Sequence, residues 1–163
     1  MTLWLVRSGN SNKYEENFIN DNRIYLTQKD LDIDLRSFHI KNSLHAFLID
    51  KYKLQKKRTA YAWASQFHVM TFEMKVNDWV ISPVSSGSFF HIGEIKSEYQ
   101  FNLNNPNPLY HFRDVDWFAK NISCNNFPKD ILNSLGSILG ICQIKNNDAE
   151  KRIKYLYENN WEN

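Results

Sequence analysis

Asp78 followed by Glu94-Ile95-Lys96 has the Asp…Glu-x-Lys form of a metal-dependent nuclease, with fifteen residues between the two acids. In such a site the two carboxylates hold a divalent cation, and the lysine helps to activate a water. The same residues also have a plainer reading. Asp78 is a turn acid before a strand, and Glu94 and Lys96 alternate as the wet face of a half-buried one. The five histidines, His39, His45, His68, His91 and His111, show no i, i+4 ligand spacing with a partner acid. His91 and His111 could meet across strands and, with Cys124 or Cys142, suggest zinc, but a hydrogen-bonded sheet histidine is the commoner case. No Gly-x-Ser-x-Gly elbow and no Gly-rich phosphate loop is present, so nucleophilic catalysis and nucleotide hydrolysis have no candidate. Two cysteines do not make a disulfide framework, and no metal or cofactor is expected.

Rings and cations carry a different chemistry. The chain holds 11 Phe, 8 Tyr and 5 Trp, and its formal net charge is only +2. Lys51, Lys53, Lys56, Lys57 and Arg58 nevertheless place five cations within eight residues with no acid between them. Aromatics beside a concavity (Trp4, Tyr25, Trp63, Trp79 and Phe90 are candidates) sandwich planar rings, and a basic rim holds phosphates.

The elements that must position these groups are legible from period and punctuation. Leu3 to Val6 reads as a strand ended by Arg7-Ser8-Gly9-Asn10, Glu15 to Asn20 as a short helix, and Arg23 to Thr27 as a second strand. Residues 27–40 read as loop, and Ser43 caps a helix running to about Tyr52. Ala60, Trp63, Phe67, Met70 and Met74 form one apolar stripe at spacings of three and four, so the clearest helix follows the basic cluster. From Asp78 the period changes to two, giving strands at 78–83, 89–96, 99–103 and 110–118, with Pro106 and Pro108 marking a tight reversal. Short helices are expected at 130–135 and 148–160. The 163 residues suit one α+β domain around a strongly curved, mostly antiparallel sheet of five or six strands, closed into a partial barrel. The apolar run Ser137 to Cys142 is far too short to span a bilayer, and Met1 to Arg7 lacks a basic leader and cleavage site. No membrane association and a cytoplasmic location are therefore expected.

In this order the motifs resemble a known family. Leu3-Trp4-Leu5-Val6-Arg7-Ser8-Gly9 is similar to the opening strand of EVE domains, members of the PUA-like superfamily that includes the YTH readers. Arg23-Ile24-Tyr25-Leu26-Thr27 follows in place, and the helix through Trp63-Ala64-Ser65-Gln66-Phe67 runs into Val76-Asn77-Asp78-Trp79-Val80-Ile81-Ser82-Pro83. His91-Ile92-Gly93-Glu94-Ile95 and Tyr110 to Trp117 resemble the next strands. The likeness covers about residues 1–145, which form the reader domain, with 146–163 a C-terminal helix or the start of a linker. It is nearest to the EVE-like domains at the N-terminus of modification-dependent, Mrr-like restriction endonucleases.

That resemblance implies a non-enzymatic PUA-like module that flips a methylated base out of double-stranded DNA into an aromatic pocket. It implies a base pocket of Trp4, Arg7, Ser8, Gly9, Tyr25, Thr27, Gln28, Ser65, Gln66, Trp79, Ser82 and Pro83. Trp4, Tyr25 and Trp79 would stack on the base, and Lys51, Lys53, Lys56, Lys57 and Arg58 would meet phosphates. The partner would be a nuclease or motor of a prokaryotic defence system, fused or in trans. Two residues depart from the family pattern: Gln28 stands where members often carry an aromatic, and Asn77 replaces the usual turn glycine. Alternative readings are a reader of modified RNA and the nuclease built on Asp78, Glu94 and Lys96.

Overall fold

The computed structural model describes residues 1–162; Asn163, the last residue of the expected C-terminal segment, lies outside them. The fold is α+β: a strongly curled, mixed sheet forms a half-barrel with helices on both faces. Its strands are β1 (Leu3–Val6), β2 (Arg23–Leu26), β3 (Trp79–Pro83), β4 (Phe89–Ile95), β5 (Gln100–Phe101), β6 (His111–Ser123) and β7 (Ile141–Gln143). They run in the order β2-β6-β4-β3-β1-β7, with β5 also paired to β6.

The curl follows from β6. Its first residues pair on one edge with β2 (Tyr25↔Phe112) and on the other with β5 (Gln100↔Phe112), while its later residues pair with β4. The β4–β6 register shifts twice, between Phe90 and Ile92 and between Ile92 and Glu94. Each such irregularity bends the strand and increases its twist. Gly93 sits at the second shift, where an added Cβ would come within 2.8 Å of the Asp116 carbonyl oxygen, so the close approach of the two backbones requires glycine there.

Both sheet faces are covered, and period-two alternation sorts side chains between them. Trp4, Val6 and Val80 join Ile24, Phe67, Met70, Phe112 and Trp117 in a core inside the curl. Leu3, Leu5, Trp79 and Ile81 join Phe90, Ile92, Phe127 and Ile131 in a second core on the outer face. The inner core is roofed by α1 (Glu15–Asn20), α2 (Lys41–Tyr52) and α3 (Lys57–His68); α3 continues into a π-helical turn, Val69–Glu73. The outer core lies under α4 (Lys129–Ser134) and α5 (Ala149–Glu158), the latter burying Ala149, Ile153 and Leu156. Of the stripe expected to run through α3, Ala60, Phe67, Met70 and Met74 are buried core, whereas Trp63 is only half-buried.

Several expectations need correction. Among the described residues the sheet has seven strands, not five or six; it is mostly antiparallel as expected, but β1 pairs with β3 in parallel, Leu3↔Trp79 to Leu5↔Ile81. The long connection carrying three helices makes that parallel crossover possible. β7, three residues with no alternation of their own, exists because β1 offers it a free edge. The strand expected at 99–103 is only two residues long. Ser43 lies inside α2, whose N-cap is Ile40; its hydroxyl donates back to the Ile40 carbonyl. No helix among the described residues is long and apolar enough to cross a membrane.

Candidate functional site

At the open end of the half-barrel lies a cleft of about 1050 Å³. β1 and β2 both run into it, delivering Arg7 and Gly9 on one side and Tyr25, Thr27 and Gln28 on the other; α3 adds Trp63, Gln66 and Phe67. The loop after β1 is tightly wound. Gly9 takes φ +85°, and an added Cβ would meet the Tyr14 ring at 2.8 Å, so a side chain at this position clashes and strains the backbone together. The Tyr14 amide donates to the Ser8 carbonyl at 2.8 Å, which aims its ring at the cleft. Ser11 and Asn12 follow, both with φ of +53°.

Of the residues expected in the pocket, Arg7, Gly9, Tyr25, Thr27, Gln28 and Gln66 line this cleft, and the other six do not. Trp4 is buried in the inner core, its indole N–H donating to Asp78 Oδ2 at 2.9 Å. Trp79 points to the opposite face and packs on Phe118 and Tyr157, with ring centroids 4.7 and 5.7 Å away. Alternation explains this: on β3 the inner-face neighbour is Val80. Ser8 is fully buried, and its Oγ has no hydrogen-bond partner among the described residues. Ser82 and Pro83 are buried within β3, and Ser65 faces solvent on α3.

Two of the expected pocket residues have their polar groups already occupied. The Arg7 guanidinium donates to the Ser137 carbonyl through Nε (3.2 Å) and Nη2 (2.5 Å). Gln66 Oε1 accepts from the Ile141 amide at 3.0 Å. Both side chains therefore hold the 136–141 loop, which forms the cleft's far wall. The expected stacking rings change as well. Tyr25 is 3% exposed, wedged between Phe18 and Phe112 with its hydroxyl donating to Asp21, and makes floor, not wall. The half-buried rings of Trp63 and Tyr14 supply open aromatic surface. Trp63 is braced edge-on by Tyr52 at 5.5 Å, whose hydroxyl donates to the Lys29 carbonyl at 2.7 Å; burial pushes the Tyr52 phenol up to about 12. Trp63 stood among the candidate aromatics of the sequence, but Tyr14 and the 136–141 loop carried no signal there.

The cations divide. Lys51 pairs with Asp32 at 3.1 Å and Lys53 with Asp50 at 3.5 Å. Lys56, Lys57 and Arg58 are exposed and make no ion pair among the described residues. They occupy the N-cap and first turn of α3, which has no side-chain cap and no acid in that turn. Three cations at the positive end of a helix oppose its dipole, an arrangement that an anion relieves. Lys13 and Lys29 add charge on the cleft itself.

The nuclease triad gains no support from this geometry. Asp78 is 6% exposed, and its carboxylate accepts from the Thr2 amide, the Trp4 indole and the Lys75 amide. Glu94 pairs with Lys96 at 2.5 Å. No group of three or more His, Cys, Asp or Glu side chains among the described residues could hold a metal. The histidines at the sheet are structural. His91 Nδ1 accepts from the Asn121 amide, so its Nε2 donates to Glu15 Oε1 at 3.1 Å. Burial opposes ionisation of Glu15, but the amide and hydroxyl of Ser85 together with His91 outweigh it and hold the carboxyl below its usual range. His111 is fully buried, its Nδ1 2.6 Å from the Tyr99 hydroxyl and its Nε2 donating to the Leu31 carbonyl.

A family model for a domain of unknown function, DUF8426, matches residues 4–134. The chain belongs to that family. No curated protein and no solved structure matches it.

Proposed function

We propose that this protein is a non-catalytic reader of a modified base in DNA, and that the cleft at the open end of the half-barrel receives the flipped nucleotide. The observation that carries this reading is the cleft's composition: a space of about 1050 Å³ with two half-buried rings, Tyr14 and Trp63, beside Lys13 and Lys29. Three unpaired cations on α3 lie one to two helical turns from Trp63. Flipping costs a few kcal/mol, and stacking on an aromatic returns about 1–3 kcal/mol per base. Thr27 and Gln28 are placed to read the base edge, in a cleft whose Arg7 and Gln66 already hold its wall. Lys56, Lys57 and Arg58 would then meet the backbone, which positions the protein without specifying sequence.

The curled sheet agrees with the PUA-like, EVE-type fold that the strand motifs resemble, and we assign the chain to that architecture. In this reading the protein is the recognition module of a prokaryotic restriction system, working in the cytoplasm with a nuclease or motor, fused or in trans. Fluorescence-anisotropy titrations of matched duplexes test the reading. The duplexes are unmodified or carry 5-methylcytosine, 5-hydroxymethylcytosine or N6-methyladenine, each at two salt concentrations. A preference of about tenfold for one mark, roughly 1.4 kcal/mol, supports it. Equal, salt-sensitive binding to all reduces the function to backbone attachment. Preference for the same mark in RNA transfers it to RNA.

A further inference from the structure

The loop Gly136–Gly140 presents its apolar tip to solvent in a way the fold does not use. Ile138 is 96% exposed and Leu139 42%. Among the large apolar side chains exposed in the described residues, Ile138 alone also lines the cleft. The others, such as Ile40, Tyr61, Leu103 and Tyr155, lie elsewhere on the surface.

Such a tip is usually a mobile accident, but this one is held on both sides. Arg7 clamps the Ser137 carbonyl with its guanidinium, and its amide donates to the Gly140 carbonyl at 2.7 Å. The Leu139 amide donates to Ser137 Oγ at 3.2 Å, and Gln66 Oε1 takes the Ile141 amide at 3.0 Å. Arg7, just past β1, and Gln66 of α3 therefore fix the ends of the loop, while the isoleucine they present is left almost wholly open to solvent. Gly140 permits the tight join, since an added Cβ would stand 3.1 Å from Gln66 Oε1.

We propose that Ile138, backed by Leu139, is an apolar wedge that enters the base stack where the flipped nucleotide leaves a gap. The proposal rests on the reading that the cleft takes a flipped base. A vacated step exposes two apolar base faces to water, and a branched aliphatic side chain inserted there covers them. Geometry favours this residue: it stands on the rim of the space that receives the base, so one docking pose serves both. Lys13 and Lys29 on the same cleft would draw the backbone against that rim.

The experiment compares wild type with Ile138→Ser and Ile138→Leu. The probes are a duplex bearing the mark that wild type prefers among the three above, the unmodified duplex, and the marked strand alone. A 2-aminopurine beside the mark reports unstacking. Because Ile138 is almost wholly exposed, neither change should disturb folding. The expected result is about a tenfold loss of affinity for the marked duplex in Ile138→Ser, with the 2-aminopurine signal reduced. Affinity for the marked single strand, which has no stack to fill, stays within about twofold, and Ile138→Leu restores duplex binding. Undiminished duplex binding by Ile138→Ser overturns the wedge while the reader stands. An equal loss on single strand and duplex also overturns it, making Ile138 an ordinary contact. If wild type prefers no mark, the reader itself fails and the wedge fails with it.

Discussion

At the residue scale, partners decide what a side chain can do, and the buried Tyr99–His111 pair shows this with a measurable consequence. His111 is bonded at both ring nitrogens in the neutral form, and burial lowers its pKa from 6.5 to about 4. In the unfolded chain it takes up a proton near pH 6.5; in the folded chain it does not until about pH 4. Between those values the unfolded state binds more protons, so stability falls as pH falls, by about 3 kcal/mol across the window. Urea unfolding at a series of pH values from 7 to 4.5 should show that slope in wild type and a much shallower one in His111→Phe, which is less stable at pH 7 because the Leu31 carbonyl loses its donor. Equal slopes would remove His111 from this role. Arg113 makes a similar point. It is fully buried with no acid partner among the described residues, and donates to the carbonyls of Met70, Thr71 and Ser97. It thereby ties the π-helical turn after α3 to β6, a job invisible in its sequence neighbours.

At the element scale, α3 joins the charge to the cleft. Its N-cap and first turn bear Lys56, Lys57 and Arg58, and its inner face delivers Trp63, Gln66 and Phe67. Replacing those three cations with glutamine should weaken binding to marked and unmarked duplexes alike. The slope of log K against log salt should become shallower by about two to three. An unchanged slope would put the phosphate contacts elsewhere. The helix itself was legible in the sequence from its apolar stripe, as were β1, α1, β2 and the turn at Asn77, whose φ of +75° is the left-handed geometry asparagine tolerates. The parallel β1–β3 pair and β7 were not, because pairing direction and short edge strands are set by distant partners and leave no local period. The site was half legible for the same reason. Arg7, Gly9, Tyr25, Thr27 and Gln28, at the ends of β1 and β2, line the cleft, but Ser8 beside them is buried. Trp4 and Trp79 were misplaced because the sheet is covered on both faces, so an aromatic in a strand can serve either core.

At the scale of the whole molecule, the half-barrel separates two tasks. The outer core under α4 and α5 is closed and apolar, while the inner face opens at one end into the cleft. The walls at that end are held by specific side chains: Arg7 and Gln66 fix the far wall, Tyr52 braces Trp63, and Asn107 ties its loop to Asp30. A preformed cleft of this kind lowers the ordering cost of binding, and in the proposed reading base recognition turns on Trp63. The most direct test is anisotropy of wild type and Trp63→Ala on one marked duplex and its unmarked counterpart at fixed salt. Wild type should prefer the marked duplex by about tenfold or more, and Trp63→Ala should lose this preference. Affinity for the unmarked duplex, held by the α3 cations, should be unchanged. A Trp63→Ala protein that keeps the full preference would contradict the account, because the base would then be read somewhere other than this cleft.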